Sequence, residues 1–222
     1  MLFILLNWNY SILAQYDSTS KIERIRPYIA PSLLIASGLY INTTSSKYSK
    51  GKLQQQILNK YPNVSTHLDD YLPFIPIGQM YLGKRMGLKS KNNYFNQSKN
   101  LFLSQLFTSI ITHSLKRSTK ILRPDGTPHA FPSGHTSMAF SSASTLFYEY
   151  KTYHPIYASS GFLSAGATGA LRVLNNRHWV SDVLVGAGIA IIVTHLIYHF
   201  EPLKNWTPFK RKRTKTAQLF FY

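Results

Sequence analysis

Residues 172–198 read RVLNNRHWVSDVLVGAGIAIIVTHLIY, a stretch that joins a polar motif to an apolar run long enough to cross a bilayer. The run from 179 to 200 reaches the roughly 20 residues that a spanning helix needs. Gly and Ala are plentiful in 181–190, as in closely packed membrane helices, and Trp179 and Tyr198 stand at its ends like interfacial anchors. At its head, Arg172, His178 and Asp182 follow the spacing Arg-x5-His-x3-Asp. A helix beginning near Trp179 brings Asp182 onto the same face as His178. A carboxylate bonded to one ring nitrogen fixes the tautomer and leaves the other nitrogen free as a nucleophile.

Two further strings lie upstream. Pro132-Ser133-Gly134-His135 opens a helix-forming run from Thr136 to Tyr148. The unpaired N–H groups at such a start make an anion site, and Gly134 lets the backbone approach a bound phosphate without a Cβ in the way. His135 beside that group is placed to hand a proton to a leaving alkoxide. Lys116-x6-Arg123-Pro124 adds a point charge and a planar guanidinium fork, to which Arg172 adds a second fork. Three cations, two imidazoles and a carboxylate suit phosphoryl transfer, in which negative charge spreads over three oxygens.

Taken together, the three strings resemble the signature of the type 2 phosphatidic acid phosphatase superfamily, which also includes vanadium haloperoxidases and bacterial class A acid phosphatases. The resemblance covers roughly residues 69 to 200. It implies that His178 is the nucleophile, Asp182 its orienting partner and His135 the general acid, and that Lys116, Arg123, Ser133, Gly134 and Arg172 bind the phosphate. In one respect the chain departs from the pattern: Leu171 stands where the family usually has Ser before the arginine, which removes a polar contact to the phosphate. The gaps between motifs are short for the larger haloperoxidases.

Composition narrows the class. The net charge is +17 with eight acidic residues and no cysteine, so disulfides and thiol chemistry are excluded. A two-metal phosphatase needs more carboxylates than the motif region offers, and the expected mechanism uses neither metal nor cofactor. Nucleic acid is a poor fit to the charge, because no zinc-finger spacing or RNA-binding aromatic signature is present and the cations cluster between apolar runs. Those runs fall near 28–42, 71–83, 101–115, 136–148, 156–171 and 179–200, and the mean hydropathy of −0.13 is low for a multi-pass protein.

The expected fold is therefore an all-α bundle of about six core helices, embedded in a membrane, with the site at one end. Alternating the runs across a bilayer puts all three motifs on one side. The lysines and arginines of 84–99 and 204–215 then fall on the other, which the positive-inside rule makes cytoplasmic. The site then faces the periplasm of a bacterial-type inner membrane. Residues 1–27 form an N-terminal segment or signal peptide, 28–200 the helical domain with its motif core at 116–182, and 201–222 a basic tail. A short helix is expected around Leu53 to Lys60.

The remaining histidines have plainer readings. His113, His154, His195 and His199 read as structural; His195 and His199 have ligand spacing but no third ligand nearby. His129, between the first two motifs, is a substrate contact or simply exposed. The leading function is a metal-independent phosphatase acting on a lipid phosphate or pyrophosphate through a phosphohistidine. The competing readings are a soluble secreted acid phosphatase and a basic module that binds anionic lipid without catalysis.

Overall fold

The computed structural model describes residues 2–62 and 64–200, with side chains from Ile22 onward. Helices are α1 (Leu2–Thr43), α2 (Lys50–Lys60), α3 (Leu68–Tyr71), α4 (Ile75–Arg85), α5 (Tyr94–Thr119), α6 (Gly134–Tyr150), α7 (Pro155–Leu174) and α8 (Val180–His199), with a 3-10 turn at Leu72–Phe74. No strand occurs among the described residues, and the long helices α1, α5, α6, α7 and α8 form the bundle with the shorter α4. The basic tail 201–222 lies outside the described residues.

Local chemistry sets most of the ends. Asn93 caps α5 by accepting the Asn96 N–H at 2.9 Å, and α5 stops at Lys120, which takes a left-handed φ of 49°. Pro155 opens α7, where its missing N–H costs no hydrogen bond. The apolar run 71–83 forms a bent path rather than one helix, since Pro73 and Pro76 each start a new segment across α3, the 3-10 turn and α4. At 11 residues, α4 is only about 16 Å long.

α6 lies at the centre, packed on α4, α5, α7 and α8, and α1 runs along the outer side of α8. Small residues permit these approaches: a Cβ on Gly188 would lie 2.6 Å from the Pro31 carbonyl, and one on Gly186 would lie 2.8 Å from the Ser133 carbonyl. The interior holds small clusters, Met80 with Leu146, Tyr150 and Ala158, and Ala139 with Ala143 and Ala165. Many of the other buried side chains are hydroxyls, including Thr108, Thr112, Ser137, Ser141 and Thr145. Some bond back to their own helix, as Thr145 does to the Ser141 carbonyl at 2.9 Å. Large apolar side chains instead face outward: Ile29 and Leu33 on α1, Phe102 and Ile110 on α5, Ile156 and Leu163 on α7.

α5 and α7 run toward the end that holds Lys116 and Arg172, and α6 and α8 begin there, so the three motifs meet at one end of the bundle. At the other end, Lys84, Lys89, Lys91 and Lys151 lie over the rings of Tyr94, Tyr153, Tyr198 and Tyr148.

Candidate active site

The site is assembled from two helix N-termini held side by side. The Ser133 N–H donates to the Asp182 carbonyl at 3.0 Å, which joins the start of α6 to the first turn of α8. His178 precedes α8, and the Asp182 carboxylate folds back over the helix start. Its Oδ2 accepts the Trp179 N–H at 3.0 Å and lies 3.2 Å from His178 Nδ1. The pairing therefore comes from helix capping and not from a shared helical face. His178 is 1% exposed and Asp182 fully buried. Burial lowers the His178 pKa to about 4, against the opposing pull of Asp182, which keeps the ring neutral at ordinary pH.

A cavity of about 670 Å³ opens over this pair, lined at its polar end by Lys116, Arg123, Gly134, His135, Arg172 and His178. It extends along one face of α5 past Thr112 and Thr108 to Gln105. Lys116 donates to the carbonyls of His129 at 2.8 Å and Ala130 at 3.3 Å. Burial and then Arg123 lower its pKa to about 8, so its ammonium is sensitive to any anion bound beside it. The Nε atoms of Arg123 and Arg172 are buried without a partner among the described residues. Such donors leave a guanidinium edge unused, as an anion site requires. A Cβ on Gly134 would meet only Lys116 Cε at 3.7 Å, so packing does not demand glycine there.

Ser133 lies apart from the cavity wall. It is fully buried, its hydroxyl 2.9 Å from Thr136 Oγ1 as the α6 cap, and its N–H is used by Asp182. Leu171, half-buried on α7, is not among the cavity residues either. His129 and His113 both line the cavity. His129 Nδ1 donates to the Lys116 carbonyl at 3.0 Å, which closes a reciprocal bridge between the 120–133 loop and α5. His195 bonds through Nδ1 with the Tyr148 hydroxyl at 2.7 Å, and His199 donates to the His195 carbonyl at 2.8 Å.

Two carboxylates join the site from far upstream. Asp69, 2% exposed, accepts from Arg172 Nη1 at 2.7 Å and from Asn175 at 2.9 Å. Asp70 Oδ1 lies 3.2 Å from Arg172 Nη1 and 3.2 Å from His135 Nε2. The one cue in the sequence was an Asp-Asp pair in a chain with eight acidic residues.

Residues 97–206 match the PAP2 superfamily. The chain belongs to that superfamily. Over 100 residues, or 44% of its length, it is 43% identical to the lipid A 1-phosphatase of Porphyromonas gingivalis, and this segment spans 22% of that protein. The crystal structure of a transmembrane PAP2 type phosphatidylglycerolphosphate phosphatase from Bacillus subtilis superposes with a TM-score of 0.54 at 16% identity, over 84% of this chain and 100% of the other. The two share the PAP2 fold. Aquifex aeolicus LpxE gives a TM-score of 0.48 at 21% identity, over 64% of this chain and 92% of that one.

Proposed function

We propose that this PAP2 protein is a lipid phosphatase that hydrolyses a phosphate monoester or pyrophosphate through a phosphohistidine. The observation that carries this reading is His178, buried, neutral and held at Nδ1 by Asp182 beneath a cavity with three cations. Its other nitrogen attacks phosphorus, the P–O bond to the leaving group breaks, and His135 protonates the departing alkoxide. Water then attacks the phosphohistidine, with His135 accepting its proton. Lys116, Arg123 and Arg172 neutralise the developing charge with side chains alone, and the backbone at Gly134 leaves room for the phosphate.

A lipid substrate is supported by the inverted packing, hydroxyls inside and large apolar side chains outside, which suits a surface that meets acyl chains. The lipid A 1-phosphatase relative makes a phosphorylated glycolipid the first substrate to assay. Among the described residues, α8 is the helix long and apolar enough to span a membrane by composition alone. We place the site on the side away from the 84–91 lysines, facing the periplasm.

The test is phosphate release by purified protein from a panel: a lipid A-type 1-phosphate, phosphatidate, phosphatidylglycerol phosphate, a polyprenyl diphosphate and soluble esters. The expected result is release from at least one lipid, blocked by vanadate and unaffected by chelators. Release from soluble esters alone would favour an acid phosphatase.

A further inference from the structure

Asp70 stands on the far side of His135 and Arg172 from the catalytic cavity. It does not line that cavity; with Asp69 and Arg172 it lines a separate cleft of about 260 Å³. Its Oδ1 reaches His135 Nε2 and Arg172 Nη1, each at 3.2 Å. Its Oδ2 lies 3.7 Å from His67 Nδ1. The Nη1 of Arg172 is thus occupied by Asp69 and Asp70, whereas its buried Nε has no partner. The two carboxylates hold the guanidinium from behind and leave another edge for phosphate.

We infer that Asp70 is the positioning residue of the proton-transfer step, forming with His135 a second carboxylate–imidazole pair that works alongside Asp182–His178. The inference rests on the phosphohistidine reading above. A carboxylate on Nε2 keeps the proton of neutral His135 on that nitrogen and stabilises the imidazolium. Protonated His135 then gives its Nδ1 proton to the alkoxide and becomes the neutral Nε2–H tautomer, still donating to Asp70. In the second half-reaction Nδ1 takes a proton from the attacking water and the cycle closes.

The need for such a partner follows from the surroundings. His135 faces Arg172 on α7, Arg123 in the loop, and Asp69 and Asp70 on α3, and it shares the cavity with Lys116 and His178. Burial, then Arg172, lower its pKa below the usual 6.5, and Asp70 is the first group acting to raise it. Without Asp70, a histidine among three cations would hold its proton still less well.

The experiment compares wild type, Asp70→Asn, His135→Ala and His178→Ala on an alkyl phosphate lipid and on p-nitrophenyl phosphate, each across pH. Asn keeps the shape and the oxygen acceptor but removes the charge. Asp70→Asn is expected to lower kcat on the alkyl ester roughly tenfold or more and to move the alkaline limb of kcat/KM to lower pH. On the aryl ester, whose leaving group needs little protonation, the loss should be under about threefold. Vanadate inhibition should persist, showing that the cation clamp is intact. An equal loss on both esters with an unmoved alkaline limb would mark Asp70 as merely structural and overturn the inference. A gain in activity or in vanadate affinity would also overturn it, since Asp70 would then be a competitor of phosphate. Activity surviving in His178→Ala would instead bring down the phosphohistidine reading, and this inference with it.

Discussion

His178 has lost nearly all contact with solvent, yet keeps one strong partner, Asp182, and that combination decides its chemistry. Replacing it with Ala should abolish turnover, with a thermal unfolding transition that shows the fold is retained. Asp182→Asn should lower kcat on the order of 10⁴-fold, as when the orienting carboxylate of a triad is lost. As the proposed nucleophile His178 reacts in its neutral form, and with its pKa lowered to about 4 that form persists until the medium is more acidic than about pH 5. As the proposed general acid His135 must be protonated, and because burial and then Arg172 lower its pKa below the usual imidazole range, its contribution is lost as pH rises. The kcat/KM profile for an alkyl phosphate should therefore peak on the acidic side of neutrality. An optimum above pH 8 would contradict these assignments. At Gly134 an added methyl meets only Lys116, at 3.7 Å. Gly134→Ala should accordingly leave the melting temperature unchanged and raise KM roughly tenfold, because the methyl takes space meant for phosphate.

At the level of elements, carboxylates tie the helices together at both ends of the bundle. At the catalytic end Asp182 caps α8 and orients His178 at the same time. About 20 Å away along α6, Glu149 accepts from the Asn92 N–H at 3.1 Å, its side-chain amide at 2.8 Å and the Tyr198 hydroxyl at 2.5 Å. Glu149 thereby ties the α4–α5 connector, α6 and α8 together. Glu149→Ala should destabilise the protein by about 2–3 kcal/mol, since the donors it leaves behind are desolvated. Thermal unfolding in detergent should show that loss, with kcat of the folded fraction little changed. A matching fall in kcat would mean the two ends are coupled.

For the molecule as a whole, the arrangement of charge is less one-sided than the run order implies. Lys84, Arg85, Lys89, Lys91 and Lys151 gather away from the site, but Lys50, Lys52 and Lys60 on α2, and Lys47 just before it, lie at the end that holds the site. The case for sidedness thus leans on the tail beyond residue 200. A reporter that fluoresces only in the cytoplasm should be bright when fused after Tyr222 and dark when inserted near Thr127. The reverse pattern, in intact protein, would turn the site to face the cytoplasm.

The motif spacings by themselves nominated the candidate site residues, because phosphoryl transfer restricts which side chains serve and because the three strings keep a fixed order. Five of the six apolar runs likewise located the five long helices, and the sixth run broke at Pro73 and Pro76. Tertiary structure alone decided what sits behind the motifs. Asp69 and Asp70 precede Lys116 by more than forty residues, and only the packing of α3 against α7 sets them against Arg172 and His135. It also turned Ser133 inward, since a hydroxyl at a helix start is satisfied by its own first turn as readily as by a phosphate. Periodicity records which residues share a face of one helix. It carries no information on which distant loop will supply the counter-charge, because that contact depends on how separate elements pack.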